Sequence, residues 1–186
     1  MECGYILSRR LGYWICLEKM KLIAHRGLIN GPDETIENHP DQIKLAIDQG
    51  FNCEIDLWFD EDYRFYLGHD RPQYSIDKDF LIEHKKRLWI HAKNLKALYW
   101  LSTTNNFFNY FWHQNDDCVI TSQGYIWTYP EKPLTDRSIR LMPEWADPEF
   151  KTVLKNRCYA VCSDYVVKIR DIIASDHNQQ NQDETN

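Results

Sequence analysis

Along residues 51–59, Phe51, Cys53, Ile55, Leu57 and Phe59 fall on one parity, and Glu54, Asp56 and Trp58 on the other. A period of two belongs to a β-strand, so this segment is predicted to be a strand with both carboxylates on one face. Two carboxylates are a costly choice for a packed core, but they suit a metal. Apolar runs at residues 21–25, 64–67, 88–92, 110–113, 119–121, 139–142 and 159–162 predict further strands. Helical signals fall between several of them. His39-Pro40-Asp41 opens a helix with proline in its first turn, and Gly50 stops it. Residues 75–86, with Ser75 or Asp77 as the cap, read as a second helix, and residues 95–101 as a third. Asp147-Pro148 opens a helix to about residue 156, and residues 166–174 form the last.

Alternating strands and helices argue for an α/β fold with a largely parallel sheet. The expected form is a compact (β/α) TIM-type barrel in which some crossover helices are shortened or missing. Such barrels typically take about 250 residues, and this chain has 186. An open α/β sheet is the structural alternative. The predicted organisation is an N-terminal extension over residues 1–19, a barrel domain over 20–174 and a polar tail over 175–186. The charges in the extension break up its apolar run, so it is expected to be disordered, and Met20 would serve as an alternative start. The tail is dominated by Gln, Asn and Asp, and too little apolar surface is available there to offset the entropy of ordering.

Composition narrows the function. The formal charge is −6 and no basic run occurs, so nucleic acid is not an expected partner. No apolar stretch is long enough for stable membrane insertion. The six cysteines form no C-x-x-C pair and read as reduced thiols of a cytoplasmic protein. The run from Leu11 to Leu17 is followed at once by Glu18 and Lys19, which argues against a secretion signal.

The ionisable residues cluster at strand ends. His25, Glu54, Asp56, His69, Lys93 and Asp164 all lie at or just beyond the C-terminal ends of predicted strands, the catalytic face of a barrel. Two imidazoles, the Arg26 guanidinium and a carboxylate pair form a kit for cleaving a phosphodiester with a divalent metal. Asp70 reads as an orienting partner or a turn residue. Glu37 and Asn38 either cap the following helix or support the site. His113 and Asp117 are further polar groups in an aromatic-rich loop. Trp127 is either packing or a pocket wall.

The motifs His25-Arg26-Gly27, Glu37-Asn38, Glu54-Ile55-Asp56 and His69-Asp70, in this order and spacing, resemble the glycerophosphodiester phosphodiesterase family of phospholipase-C-like barrels. The resemblance covers about residues 21–93 and is closest to a compact subgroup from bacteria and large viruses. Lys93 and the segment Cys162-Ser163-Asp164-Tyr165 are weaker echoes. The resemblance implies metal-dependent hydrolysis of glycerophosphodiesters or related small phosphodiesters. It implies His25 and His69 as acid and base, Glu54 and Asp56 as metal ligands, and Arg26 and Lys93 as phosphate-facing cations. The implied metal is Mg²⁺ or Ca²⁺. A lyase that stops at a cyclic phosphate and a non-catalytic barrel that binds phosphorylated ligands are the alternatives. One departure stands out: His91 occupies the position of a third family carboxylate. Either His91 ligates a metal such as Mn²⁺ or Zn²⁺, or water fills the place, or another residue substitutes.

Overall fold

In a computed structural model, residues 20–153 and 157–183 are described. The expectations for residues 1–19 and for the end of the tail lie outside the described residues. The strands are β1 (Lys21–Ala24), β2 (Asn52–Phe59), β3 (Phe65–Leu67), β4 (Tyr74–Ile76), β5 (Leu88–Ala92), β6 (Tyr110–Phe111), β7 (Cys118–Ile120), β8 (Ile126–Thr128), β9 (Ser138–Leu141) and β10 (Ala160–Ser163). The helices are α1 (Pro40–Asp48), α2 (Lys78–His84), α3 (Leu95–Ser102) and α4 (Val166–Asp183).

The strands form one sheet. Its parallel path runs β6-β5-β2-β1-β10-β9-β8. β2 outruns its parallel neighbours, and its far end pairs antiparallel with β3, which in turn pairs with β4. β7 adds to β8 as an antiparallel hairpin strand. The path curls until its two ends approach. Phe111 on β6 and Trp127 on β8 stack with ring centroids 4.5 Å apart. No strand ladder closes the gap among the described residues. Ser122, in the turn after β7, makes the backbone link there, donating its N–H to the Tyr110 carbonyl at 2.8 Å. The expected barrel is therefore a partial one, curled but not closed. β6 has only two residues, too few to carry ladders on both edges, and β7 runs the wrong way for a parallel closure.

Two apolar layers follow from the alternation. Ile23, Trp89, Phe111, Trp127, Ile139, Ala160 and Cys162 fill the inside of the curl. Cys53, Ile55, Leu57, Leu88, Ile90 and Ala92 point outward against Ile43 and Ala46 of α1, Leu81 of α2, and Ala97 and Leu101 of α3. Ile169 and Ile173 of α4 pack on Val161, Phe150 and Val153. All four described cysteines are free, and no helix among the described residues is long and apolar enough to cross a membrane.

The element boundaries differ from expectation in four places. The helix expected from residue 75 starts at Lys78, capped by Asp77 Oδ1, which accepts from the Phe80 N–H at 2.9 Å. Ser75 lies instead in β4, opposite Tyr66. Among the described residues no helix follows Asp147-Pro148. A 3-10 turn, Pro143–Trp145, comes before it, and Asp147 Oδ2 accepts from the Thr152 N–H and hydroxyl. Phe150 then takes a φ of +58°, which a continuing helix forbids. β8 was not foreseen, because three residues after a Gly124 turn show no readable period. α4 continues past Ala174 to Asp183, through residues expected to be a mobile tail. Once its first turns are packed, each further residue adds a hydrogen bond at little nucleation cost.

Trp127 is 4% exposed and touches the aromatic faces of Phe111 and Trp89. Trp127→Ala should destabilise the protein by roughly 3–5 kcal/mol, read by chemical denaturation, because the cavity lies where no ladder can tighten around it.

Candidate active site

The strand register assembles the site. Asp56 faces His91 across the β2–β5 pair, and Leu57 faces Ala92, so Lys93 lies just beyond. Ala24 is opposite Cys53 on one side and Ser163 on the other. One residue further along each strand, His25, Glu54 and Asp164 become neighbours at the strand ends.

Three turns then bend the chain around this point. His25–Gly27 forms a 3-10 turn in which Arg26 has a φ of +51°. That conformation turns the Arg26 N–H onto Glu54 Oε2 at 3.1 Å. Its guanidinium donates through Nη1 to Glu37 Oε2 at 2.8 Å. Arg26 Nε lies 3.3 Å from Asp56 Oδ2 but makes no hydrogen bond. Asn38 is fully buried with a φ of +59°, a conformation that short polar side chains tolerate best. Its Oδ1 accepts from the Asp56 N–H and its Nδ2 donates to Asp56 Oδ2, both at 2.9 Å. Gly68, at φ +148°, turns the chain after β3, and a Cβ there would meet the Arg71 carbonyl at 2.2 Å. The tight turn is further held by Trp58 Nε1, which donates to the Gly68 carbonyl at 2.6 Å, and it carries His69 back over β2.

Asp56 is the hub. Its Oδ2 is 3.2 Å from His69 Nδ1, and its Oδ1 is 3.0 Å from His91 Nδ1 and 3.4 Å from Lys93 Nζ. Burial alone would raise its pKa. The hydrogen bonds from His69 and His91, with the charges of His91 and Lys93, hold it well below the ordinary carboxylate value. Glu54 responds the other way. Burial and the neighbouring Asp56 charge push its pKa up, against smaller opposing effects of His25, His91 and Arg26. Two carboxylates in one dry site thus shift in opposite directions, Asp56 down and Glu54 up.

The histidine tautomers follow from their partners. His25 Nδ1 is 2.8 Å from Asp164 Oδ1, and a carboxylate only accepts. Nδ1 therefore carries a proton, and Nε2 is left for chemistry. Burial works against a charge on His25, but the Asp164 hydrogen bond and the Glu54 charge outweigh it, and its pKa is raised. His69 Nδ1 points at Asp56, and its Nε2 is 3.6 Å from Asp70 Oδ1, too far for a hydrogen bond. Asp70 itself is 93% exposed. His91 Nε2 faces the His113 carbonyl at 3.2 Å, so Nε2 must be the donor. The ring is fixed further by stacking on Phe111, at 5.0 Å and 8°. His91 Nδ1 then faces Glu54 and Asp56, carrying a proton when the ring is cationic and a lone pair when it is neutral. Ligand atoms of these three residues lie within 4.8 Å of one another. A lone pair facing two carboxylates requires a positive charge between them, either a proton on Nδ1 or a metal ion. The donor set therefore fits a divalent cation, with mixed oxygen and nitrogen character.

A cavity of about 840 Å³ opens above this cluster. His25, Arg26, Glu37, His69, Asp70 and Asp164 line it, while Glu54, Asp56, His91 and Lys93 lie beneath. Of the other candidates, Asp117 pairs with Lys132 at 2.8 Å on the surface, and Trp127 is inside the curl, where it packs. His113 enters only through its carbonyl. Glu144 was not foreseen. It lines the cavity, and its Oε1 accepts from Ser163 Oγ at 2.9 Å and from the Asp164 N–H at 3.1 Å. It thereby holds the residue that holds His25. A Pro-Glu pair read as loop gave no signal of this.

No protein-family model matches this chain, and no curated protein matches it. Among solved structures, one similar chain is described as a "putative glycerophosphodiester phosphodiesterase from Galdieria sulphuraria". The two are 10% identical, with a TM-score of 0.49, over 83% of this chain and 98% of the other. The chemistry of the site is therefore read from its own residues.

Two outcomes follow. Asn38→Ala strips the Asp56 N–H of its partner and Oδ2 of one of its donors, and places a non-polar residue at positive φ. It should cost roughly 1–3 kcal/mol, measured by denaturation. A cation entering between Glu54, Asp56 and His91 competes with protons for these groups, and the raised Glu54 pKa strengthens that competition. Mn²⁺ affinity should therefore fall as pH drops through that raised value, with protons released on binding. Calorimetry in buffers of different ionisation enthalpy counts those protons, and Glu54→Gln should remove both the tight binding and the release.

Proposed function

We propose that the protein is a metal-dependent phosphodiesterase that cleaves small phosphodiesters such as glycerophosphodiesters by two-histidine acid–base catalysis. One observation carries the reading. The buried Asp56 carboxylate gathers Arg26, His69, His91 and Lys93 around it, directly below a cavity that holds a second oriented histidine, His25. The motif order in the sequence supports the same conclusion.

Each residue has a role in this reading. Glu54, Asp56 and His91 would hold a divalent cation, which would supply charge to stabilise the anionic phosphate. Arg26 and Lys93 bring further positive charge to the anionic diester, and Arg26 Nε is a donor without a hydrogen-bond partner. His25 is oriented by Asp164 through Nδ1 and presents Nε2 to the cavity. His69 is oriented by Asp56 through Nδ1 and presents Nε2 from the other wall. One imidazole takes the proton of the attacking hydroxyl and the other gives one to the leaving alkoxide. Glu37 holds the Arg26 guanidinium in place, Asn38 fixes Asp56, and Asp70 stands beside His69.

The test is a metal screen with bis(p-nitrophenyl) phosphate and glycerophosphocholine, using phosphorus NMR to identify products. A cyclic phosphate as end product would assign a lyase, and no turnover with any metal would sink the enzymatic reading. His25→Ala and His69→Ala should each lower turnover by about 10²–10⁴-fold with the fold intact. Either variant keeping a tenth of the wild-type rate would remove that residue from the mechanism.

Asp164→Asn removes the carboxylate charge and leaves at most a neutral acceptor for His25 Nδ1, so it weakens the interactions that raise the His25 pKa. The limb of the pH–rate profile that belongs to His25 should move to lower pH, with a loss of kcat. The stability sign can be checked on the same variant. With a raised folded pKa, protonated His25 contributes stability below the unfolded value of about 6.5. That contribution disappears as pH rises through the folded value, so Asp164→Asn should lose more stability in acid than in base. His91→Glu should shift metal preference toward Mg²⁺ or Ca²⁺, and an unchanged preference would take His91 out of the ligand set.

A further inference from the structure

The opposite end of the sheet carries a second recess, of about 260 Å³, formed where the parallel strands begin. Lys21 enters it ahead of β1, Lys85 and Lys86 ahead of β5, and Tyr125 ahead of β8, with Trp89 also in its lining. Among the described residues no carboxylate lines it, in a chain whose formal charge is −6. Among the described residues, Lys85 and Lys86 make no ion pair. Lys85 Nζ instead sits 3.5 Å from the centroid of the Phe107 ring, and Lys21 Nζ donates to the Tyr159 hydroxyl at 2.6 Å. Arg137 adds to the positive rim, 4.7 Å above the Tyr125 ring. Asn109, also in the lining, is 6% exposed, and its buried Oδ1 has no hydrogen-bond partner. An unpaired buried acceptor is costly, and a donor brought by a ligand would relieve it once the side chain adjusts.

These features specify a ligand. The lysine cluster without a counter-charge calls for a dianion rather than a monoanion. Phe107, Tyr125 and Tyr159, the last two with centroids 4.2 Å apart, offer ring faces and edges for a flat group. The volume lies at or below the small end of ligand pockets, roughly 300–1,000 Å³, and leaves no room for a dinucleotide. We propose that this recess binds a small aromatic phosphomonoester of the nucleoside monophosphate type. The phosphate lies on Lys85 and Lys86, the ring against Phe107 and Tyr125, and an amino donor is directed to Asn109. The proposal is independent of the phosphodiesterase reading, because none of these residues belongs to the site above β2.

Calorimetric titration of the full chain with AMP, inorganic phosphate and adenosine tests it. AMP should bind saturably and at least about tenfold more tightly than phosphate or adenosine, since each of these supplies only half of the contacts. The double variant Lys85→Glu/Lys86→Glu should weaken AMP binding by at least about tenfold, through two reversed charges. Its thermal unfolding should match wild type, and Lys85→Met/Lys86→Met repeats the test if the reversal disturbs the fold. AMP bound in the catalytic cavity would be indifferent to these changes, so binding that survives both variants overturns the proposal. Equal affinity for AMP and phosphate, or no saturation by AMP, would overturn it as well.

Discussion

A carboxylate that is 1% exposed cannot remain charged unless the surrounding protein supplies the solvation that water no longer gives. Asp56 is in that position, and most of the site can be understood as that supply. Asn38 takes an uncommon backbone conformation to place both ends of its amide on it. Gly68 makes a turn no other residue fits, and so returns His69 to its Oδ2. The β2–β5 register sets His91 and Lys93 on its Oδ1. Arg26 leaves helical geometry and comes within 3.3 Å. Of these groups Arg26 and His69 also line the cavity, and His91 and Lys93 lie on the same carboxylate beneath it. The charges that keep Asp56 ionised are therefore the same charges that would meet an anionic substrate, and the structural and chemical demands on the site coincide.

The legible parts of the fold were those with a period. β2 was readable because its outer face packs on helices and its inner face does not, so apolar and ionisable residues separate cleanly by parity. That parity alone placed Glu54 and Asp56 together. His25, Lys93 and Asp164 were readable because each directly follows an apolar strand, and parallel strands bring such ends to one side of the sheet, whereas His69 follows the antiparallel β3 and reaches the same place through the Gly68 turn. β8 was hidden because three residues carry no measurable alternation. The helix after Pro148 was over-read because its start signal is real but local. Asp147 does accept a backbone N–H, only within a turn that Phe150 then breaks. Glu144 could not be found at all. Its importance depends on contact with Ser163 and Asp164, some twenty residues away, which no local pattern encodes.

An imidazole at His91, rather than a third carboxylate beside Glu54 and Asp56, has a physical logic in this setting. A third acid beside Glu54 and Asp56 would add repulsion in a site where Glu54 is already pushed toward its neutral form. An imidazole removes one charge, and it is clamped between the His113 carbonyl and the Phe111 ring so that one nitrogen is committed to the backbone. The remaining nitrogen faces inward. The site thereby keeps three donors while carrying less negative charge, a balance that favours metals tolerant of nitrogen over those that demand oxygen alone.

The gap between β6 and β8 divides the molecule mechanically. On one side, β1, β2, β5 and β10 are tied by continuous parallel ladders and backed by α1, α3 and α4. On the other, the two-residue β6 is fastened to the facing turn through Ser122, and no helix covers β7 or β8. Amide protons in the first half should report global unfolding, whereas those from Tyr110 to Thr128 should exchange through local opening of the seam. His91, on β5, belongs to the stiffer half together with Glu54 and Asp56, and only the His113 carbonyl that fixes its ring comes from the looser one. Opening of the seam would therefore leave the three inward-facing groups together and free the His91 ring to turn, so the orientation of one nitrogen depends on how often the curl breathes.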